Sequence, residues 1–345
     1  MSVSEGEGVG EGAAGAVTAL PPGLPPEVRW WHPVADAAAV AGDAPLAVRV
    51  LGEDLVLWRC GATAAEVAAF TDRCPHRGAR LSLGRVVDGG QLQCAYHGWC
   101  FDPAGACRRV PALPGFVPPT GHAATAWQVA VAHGLLWVAR DPIAAAPPMP
   151  VGLPPRRVVC GPYDVATSAP RVVENFLDTS HFAFVHAGWL GDAGHPEVPA
   201  VEVSATADGC PLVEHYRAWQ PRAAAASTEG AWVDYRYELL TPYSALLVKQ
   251  PDGGAPRDAY TAFACPIDEW HTRVWCLQYT DDENTPDADL QHFQDTIFGQ
   301  DRPVLESQRP QRLPLSGGEQ HSAADRLSAA YRRWLRTQHV GFGTC

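Results

Sequence analysis

Lysine is almost missing from this chain: of its 26 basic residues only Lys249 is not arginine, and the formal net charge is −12. With 38 acidic residues and no basic run, nothing is available to track a phosphate backbone, which excludes nucleic acid as a partner. No run of 18 uncharged apolar residues occurs. The best candidate, 123–139, contains Gln128 and His133 and alternates as strands do, so no membrane span is expected. The first 26 residues hold three glutamates and no Arg or Lys, the opposite of a secretory signal's basic start. Ten cysteines in such a chain are expected to be reduced thiols or metal ligands in a cytoplasmic protein. A GxGxxG dinucleotide fingerprint and a CxxxxCxxC ferredoxin pattern are lacking too, so the chain carries no reductase of its own.

What the chain has in quantity is glycine and proline, 32 of each, with 46% hydrophobic residues that include 12 Trp, 9 Tyr and 10 Phe. That is enough apolar material for packed cores interrupted by many turns, which points to β-rich structure. At 345 residues the chain exceeds one ordinary core, and two domains are expected. Residues 1–27, rich in Gly, Ala, Glu and Pro, read as a disordered tail. An all-β domain is expected over 28–147, where 46–60, 66–74, Gln91–Phe101 and Ala126–Arg140 have the short apolar runs of strands. Asp141–Pro155, with six prolines and no aromatic residue, reads as an extended linker marking the boundary. The second domain, 148–345, is expected to be α+β. Trp232–Leu240, Ala245–Lys249, Ala259–Cys265 and His271–Thr280 predict an antiparallel sheet. Helical spacing appears in Arg171–Val185 after Pro170, in Asp287–Gln308 and in Ser322–His339.

Within the first domain, the stretch RCPHRGARLSLGRVVDGGQLQCAYHGWCF (73–101) holds two Cys-His pairs, Cys74/His76 and Cys94/His97, as a CxH and a CxxH. Two thiolates and two imidazoles suit either a structural zinc ion or a [2Fe–2S] cluster with Cys on one iron and His on the other. Zinc sites mostly begin with paired cysteines; here each loop supplies one Cys and one His, which favours the cluster. Gly78 and Gly98 let backbone N–H groups approach the sulfurs.

CPHRGA and CAYHGWCFDPAG resemble the two cluster-binding loops of a Rieske domain, and the likeness extends from Trp31-His32-Pro33-Val34 through LVLWR to VPALPG. The resemblance implies that Cys74 and Cys94 hold the buried iron and His76 and His97 the outer one. Rieske proteins of the cytochrome bc type add a disulfide between the loops; this chain has Ala79 where its first cysteine would stand, and Cys60, Cys100 and Cys107 form no obvious loop-bridging pair. The oxygenase or ferredoxin type is implied. Trp99 and Tyr96 are expected to pack over the cluster.

In the second domain, ENFLDTSHFAFVH (174–186) places His181 and His186 five apart, about 140° around an ideal helix, so a widened turn or a helix end is needed for both to reach one metal. Two His and a carboxylate make the facial triad that binds iron(II) and leaves positions open for oxygen. NFLDxxHxxxxH together with a Rieske domain resembles the α subunits of Rieske non-haem iron oxygenases over most of 28–312. The resemblance implies a third ligand from a distant helix, for which FGQDRPVLESQRP (298–310) is the match; its local pattern favours Asp301, with Asp295 and Glu306 as competitors. Asp178, one turn before His181, is implied to link His181 to His97 across a subunit boundary, and Asn175 to support the same site.

The resemblance thus implies an oxygenase component that uses a Rieske [2Fe–2S] cluster and a mononuclear iron(II) to activate O2. The substrate would be an aromatic or other hydrophobic small molecule. ENFLDTSH in a single-component chain is closer to the monooxygenase and demethylase branch than to the two-subunit ring dioxygenases. A separate NAD(P)H-linked reductase, with or without a ferredoxin, and a head-to-tail homotrimer are implied as well. The competing reading is a Rieske electron carrier fused to a ligand-binding domain without oxygenase activity. His195, His215, His271 and His292 lack paired spacing and are expected to be structural, and Cys345 to sit on a mobile end.

Overall fold

A computed structural model describes residues 24–223, 229–254 and 256–345. The expected tail falls outside this range as far as residue 23. Its last residues do not: Pro26–Arg29 forms a 3-10 turn in which Glu27 is buried and accepts from the backbone N–H groups of Gly341 and Phe342 at 2.6 and 3.0 Å.

The first domain contains ten strands: β1 (His32–Asp36), β2 (Leu46–Val50), β3 (Glu53–Arg59), β4 (Val67–Thr71), β5 (Arg85–Val87), β6 (Gln91–Gln93), β7 (Cys100–Phe101), β8 (Cys107–Arg109), β9 (Ala126–Ala132) and β10 (Leu135–Ala139). They form a six-stranded sheet in the order β1-β10-β9-β4-β3-β2 and a four-stranded sheet β5-β6-β7-β8. Their apolar faces close on Val56, Trp58, Phe70, Leu81, Leu92 and Phe101, all fully buried. The cysteine loops leave β4 and β6 at the edge of this core. The proline-rich linker lies against the first domain: Trp31 donates to Ala144 O at 2.9 Å, and His133 Nε2 meets Pro148 O at 3.0 Å.

The second domain is α+β. Its elements are β11 (Arg156–Val165), α1 (Ala169–Leu177), α2 (Phe182–Val185), β12 (Ser204–Ala205), β13 (Pro211–Gln220), β14 (Ala231–Thr241), β15 (Ser244–Pro251), β16 (Asp258–Pro266), β17 (Thr272–Thr280), α3 (Asp287–Ser307) and α4 (Arg326–Thr337). An antiparallel sheet runs β11-β17-β16-β15-β14-β13-β12. Successive side chains on a strand alternate between faces, and both faces of this sheet are covered. Leu246, Phe263, Trp275 and Leu277 pack with Trp137 and Leu136 of the first domain, while Ala245, Ala264, Val274 and Cys276 pack with the helices. That double cover is why every residue of β16 is buried and why its sequence shows no clean alternation.

The expected single helix over Arg171–Val185 is corrected to two short helices with a break at 178–181. Asp178 has extended backbone (ψ 131°), and its carboxylate accepts from Ser180 N at 2.8 Å and Ser180 Oγ at 2.6 Å. This side-chain turn offers the backbone a local alternative to the helix and stops it. The expected mobile end is also corrected: Cys345 exchanges backbone hydrogen bonds with Leu313 and Leu315 at 2.9 and 2.8 Å. Two arginines fasten the helical layer. Arg332 of α4 binds Glu174 of α1 at 2.5 and 2.7 Å and Glu319 at 2.6 Å, and Arg171 also reaches Glu319 at 2.6 Å.

Candidate metal centres

The two cysteine loops of the first domain share one backbone design. Cys74 N–H donates to Ala79 O and Cys74 O accepts from Gly78 N; Cys94 N–H donates to Trp99 O and Cys94 O accepts from Gly98 N, all between 2.8 and 3.0 Å. Each loop turns at a glycine with left-handed φ, +72° at Gly78 and +70° at Gly98, where a side chain would be strained. The two thiols end up buried at 2% exposure, whereas His97 is exposed and its ring lies 4.5 Å from that of His76. Nδ1 of His76 is buried with no hydrogen-bond partner among the described residues. A buried ring nitrogen left this way costs free energy unless something outside the chain takes it, and an iron ion is such an acceptor of its lone pair. The four residues therefore fit a [2Fe–2S] cluster with sulfur ligands inside and imidazoles outside.

Trp99 stacks on His76 at 4.5 Å and 6°, and Tyr96 lies 3.9 Å from the His97 ring while remaining exposed. His122, which carried no signal in the sequence, also stacks on Trp99, at 5.1 Å. Only spatial proximity marks it.

In the second domain, the helix break solves the spacing of the histidines. His181 starts α2 and His186 ends it, so neither is bound to the 140° separation of a continuous helix. Asp301 of α3 completes the group. His181 Nε2 and His186 Nε2 are 3.1 Å apart, and Asp301 Oδ1 lies 3.6 and 3.2 Å from them. Adjacent ligands of one ion, bound at about 2.1 Å, stand about 3 Å apart, so this triangle fits a single metal.

The second nitrogens fix the ring tautomers. His181 Nδ1 faces Asp178 Oδ2 at 3.2 Å and His186 Nδ1 faces Gln300 Oε1 at 2.8 Å. With Nδ1–H donating in both rings, both Nε2 lone pairs are free for a metal. Burial acts to raise the Asp178 carboxyl, but hydrogen bonds from His181 and Ser180 outweigh it and hold the group below the usual carboxylate range. Asn175 Nδ2 is 3.4 Å from Asp301 Oδ1. Gln300 was not singled out from the sequence; its one marker is its place beside Asp301. The competitors lie elsewhere: Asp295 accepts from Tyr163 OH at 2.6 Å and Glu306 from Ala166 N at 3.1 Å. His195, His215 and His271 pair with surface aspartates at 3.4, 2.9 and 3.0 Å.

Against the triad lies a cavity lined mostly by apolar and aromatic side chains with a few polar groups, the composition of a small-molecule site. Its helical wall carries the triad with Phe176, Phe182, Phe293 and Phe298, and its sheet wall carries Tyr235, Leu247, Lys249, Tyr260 and Cys276.

Comparison with known proteins agrees on both halves. Residues 30–125 match the Rieske [2Fe–2S] domain family, and residues 165–339 match the vanillate O-demethylase oxygenase C-terminal domain family. The chain belongs to the Rieske non-haem iron oxygenases. It is 33% identical to methylxanthine N1-demethylase NdmA of Pseudomonas putida over 320 residues, 89% of this chain and 88% of that protein. Identity with methylxanthine N3-demethylase NdmB of the same organism is also 33%, over 323 residues. The structure of NdmA with caffeine superposes with a TM-score of 0.77 at 31% identity, covering 90% of each chain. As a Rieske oxygenase the chain is an oxidoreductase component that takes a Rieske cluster and a mononuclear iron, acts on a small molecule and O2, and is served by a separate reductase. The electron-carrier reading loses its ground, because the catalytic-domain family matches over 165–339 and the triad is complete. Among the described residues no helix is long and apolar enough to cross a membrane.

Proposed function

We propose that this chain is the oxygenase component of a demethylase acting on N-methyl groups of a flat, nitrogen-containing aromatic ring. The observation that carries the proposal is the cavity itself: four phenylalanines and the triad form one wall, so a planar ring can lie with its edge at the metal-binding atoms. The resemblance to NdmA and NdmB over most of the chain supports N-methyl groups over other positions.

In this reading Cys74, His76, Cys94 and His97 hold the cluster, and His181, His186 and Asp301 hold the iron. When bound, the cluster supplies electrons singly and the iron supplies oxygen activation. The chain's own work is to position. Asp178 and Gln300 hold the His181 and His186 rings in the ligating tautomer, Asn175 steadies the free orientation of Asp301, and the phenylalanines exclude water while aligning the ring.

We also propose a head-to-tail homotrimer, in which Asp178 of one subunit meets His97 of the next. Two features support it: His97 is exposed on the first domain, and the Asp178 side chain is part exposed, at 30%, on the second. Electrons then come from an NAD(P)H-linked reductase, directly or through a ferredoxin, in the cytoplasm, where the cysteines other than Cys74 and Cys94 can remain free thiols.

Oxygen uptake and formaldehyde release test the reading, using iron-loaded protein with a reductase on N-methylated xanthines and on methoxybenzoates. N-demethylation predicts formaldehyde in step with oxygen uptake on the xanthines. Oxygen uptake that yields a hydroxylated ring and no formaldehyde moves the chain to the hydroxylases.

A further inference from the structure

Lys249, the chain's single lysine, interrupts an otherwise apolar and aromatic sheet wall. It is 2% exposed, and its side chain lines the cavity that the triad closes on the other side. A buried ammonium is costly unless its charge and its three N–H donors are matched. The chain matches them incompletely. Nζ has Gln220 Oε1 at 3.4 Å and the Tyr260 ring at 6.0 Å. Asp258 stands directly across from Lys249 in the β15–β16 register and is itself buried, yet the two do not form an ion pair, nor does any other carboxylate among the described residues pair with Lys249. The charge therefore has a counter-charge nearby, while at least two N–H donors have no acceptor among the described residues.

We propose that Lys249 determines specificity by donating a hydrogen bond to an oxygen of the substrate, so that the pocket takes ring compounds carrying a carbonyl or carboxylate oxygen. The proposal rests on the oxygenase reading above and adds the substrate's recognised group. An ammonium donates and cannot accept, so the ligand must bring the acceptor. A site built around such a donor discriminates against an analogue that lacks it, because the buried donor is then left unpaired. The sheet wall carries Lys249 and the helical wall carries the triad, so this bond fixes which edge of the ring is presented to His181, His186 and Asp301.

Calorimetric titration of the iron-loaded protein without reductase tests this, with caffeine as a neutral carbonyl probe, benzoate as a carboxylate probe and toluene as a ring without oxygen. The wild type should bind caffeine or benzoate more tightly than toluene, and whichever of the two is preferred identifies the oxygen. Lys249→Met should weaken that probe by roughly tenfold or more, the loss expected for a hydrogen bond to a charged group, and leave toluene unchanged. Because Lys249→Met strands Asp258, the double variant Lys249→Met/Asp258→Asn is titrated alongside and should lose the same preference. A wild type that prefers neither oxygen-bearing probe overturns the proposal, as do variants that keep the preference or weaken all three probes equally. Binding is read without turnover, so an absence of oxygenation would count against the demethylase reading and not against Lys249.

Discussion

In the Rieske domain, Cys74, His76, Cys94 and His97 fall within one stretch of sequence, on two loops closed by their own backbone hydrogen bonds. In the catalytic domain, His186 and its partner Gln300 are 114 positions apart, and the triad exists only where α1, α2 and α3 pack against the seven-stranded sheet. A locally closed site depends on a few turns; a distributed one depends on the packing of a whole domain. The two centres should therefore fail independently, and they should respond differently to perturbations away from their ligands.

The largest effect expected is from Asp301→Ala. Iron analysis should fall from three per chain, two in the cluster and one at the triad, to two, with oxygen uptake abolished and the visible spectrum of the cluster unchanged. Cys94→Ser should do the converse, abolishing the cluster spectrum while one iron remains at the triad. Loss of both centres in either variant would break the comparison, since it would mean that one site supports the other's fold.

Next in size is Gln300→Leu. His186 Nδ1 would lose its acceptor, the ring would be free to turn or change tautomer, and affinity for the mononuclear iron should drop about 10–100-fold. Iron retention during dialysis against a chelator measures it. Retention equal to wild type would show that packing alone orients His186.

The same contrast explains what could be read from the sequence. The Cys-x-His and Cys-x-x-His spacing is local, so the chemistry and the positions coincide in the text of the chain. The strands of the catalytic sheet were legible as apolar runs, and Asp301 as part of a local pattern. The break at 178–181 was only partly legible: the spacing of His181 and His186 called for a widened turn or a helix end, and Asp178-Thr179-Ser180 are residue types that favour caps and turns, but apolar periodicity continues from α1 into α2 and no Gly or Pro marks the gap. Gln300, His122 and Lys249 were not singled out as site residues because each is one residue without periodicity, and its meaning lies in what faces it across space.

The smallest effect concerns the ion network that holds the helical layer, and it separates the two sites most finely. Burial acts to raise the Glu319 carboxyl, but hydrogen bonds from Arg171 and Arg332 outweigh it and hold it below its ordinary value. A carboxyl depressed in the folded state adds stability above its unfolded pKa, and that stability disappears as pH falls through the folded pKa. For Glu319 the window therefore opens below about pH 4.5 and extends downward. At neutral pH, Glu319→Gln should cost about 1–3 kcal/mol, less than a fully buried pair because the Glu319 side chain is 28% exposed. The variant should also lose less stability than wild type on acidification. The drop belongs to the unfolding of the catalytic domain, since Arg171 and Glu174 lie on α1, two turns or fewer from the break that positions His181. The cluster loops, which hold themselves, should keep their spectrum through the first unfolding step. Simultaneous loss of cluster absorption and catalytic-domain structure in Glu319→Gln would show instead that the core shared by Trp137, Phe263 and Trp275 couples the two domains into one cooperative unit.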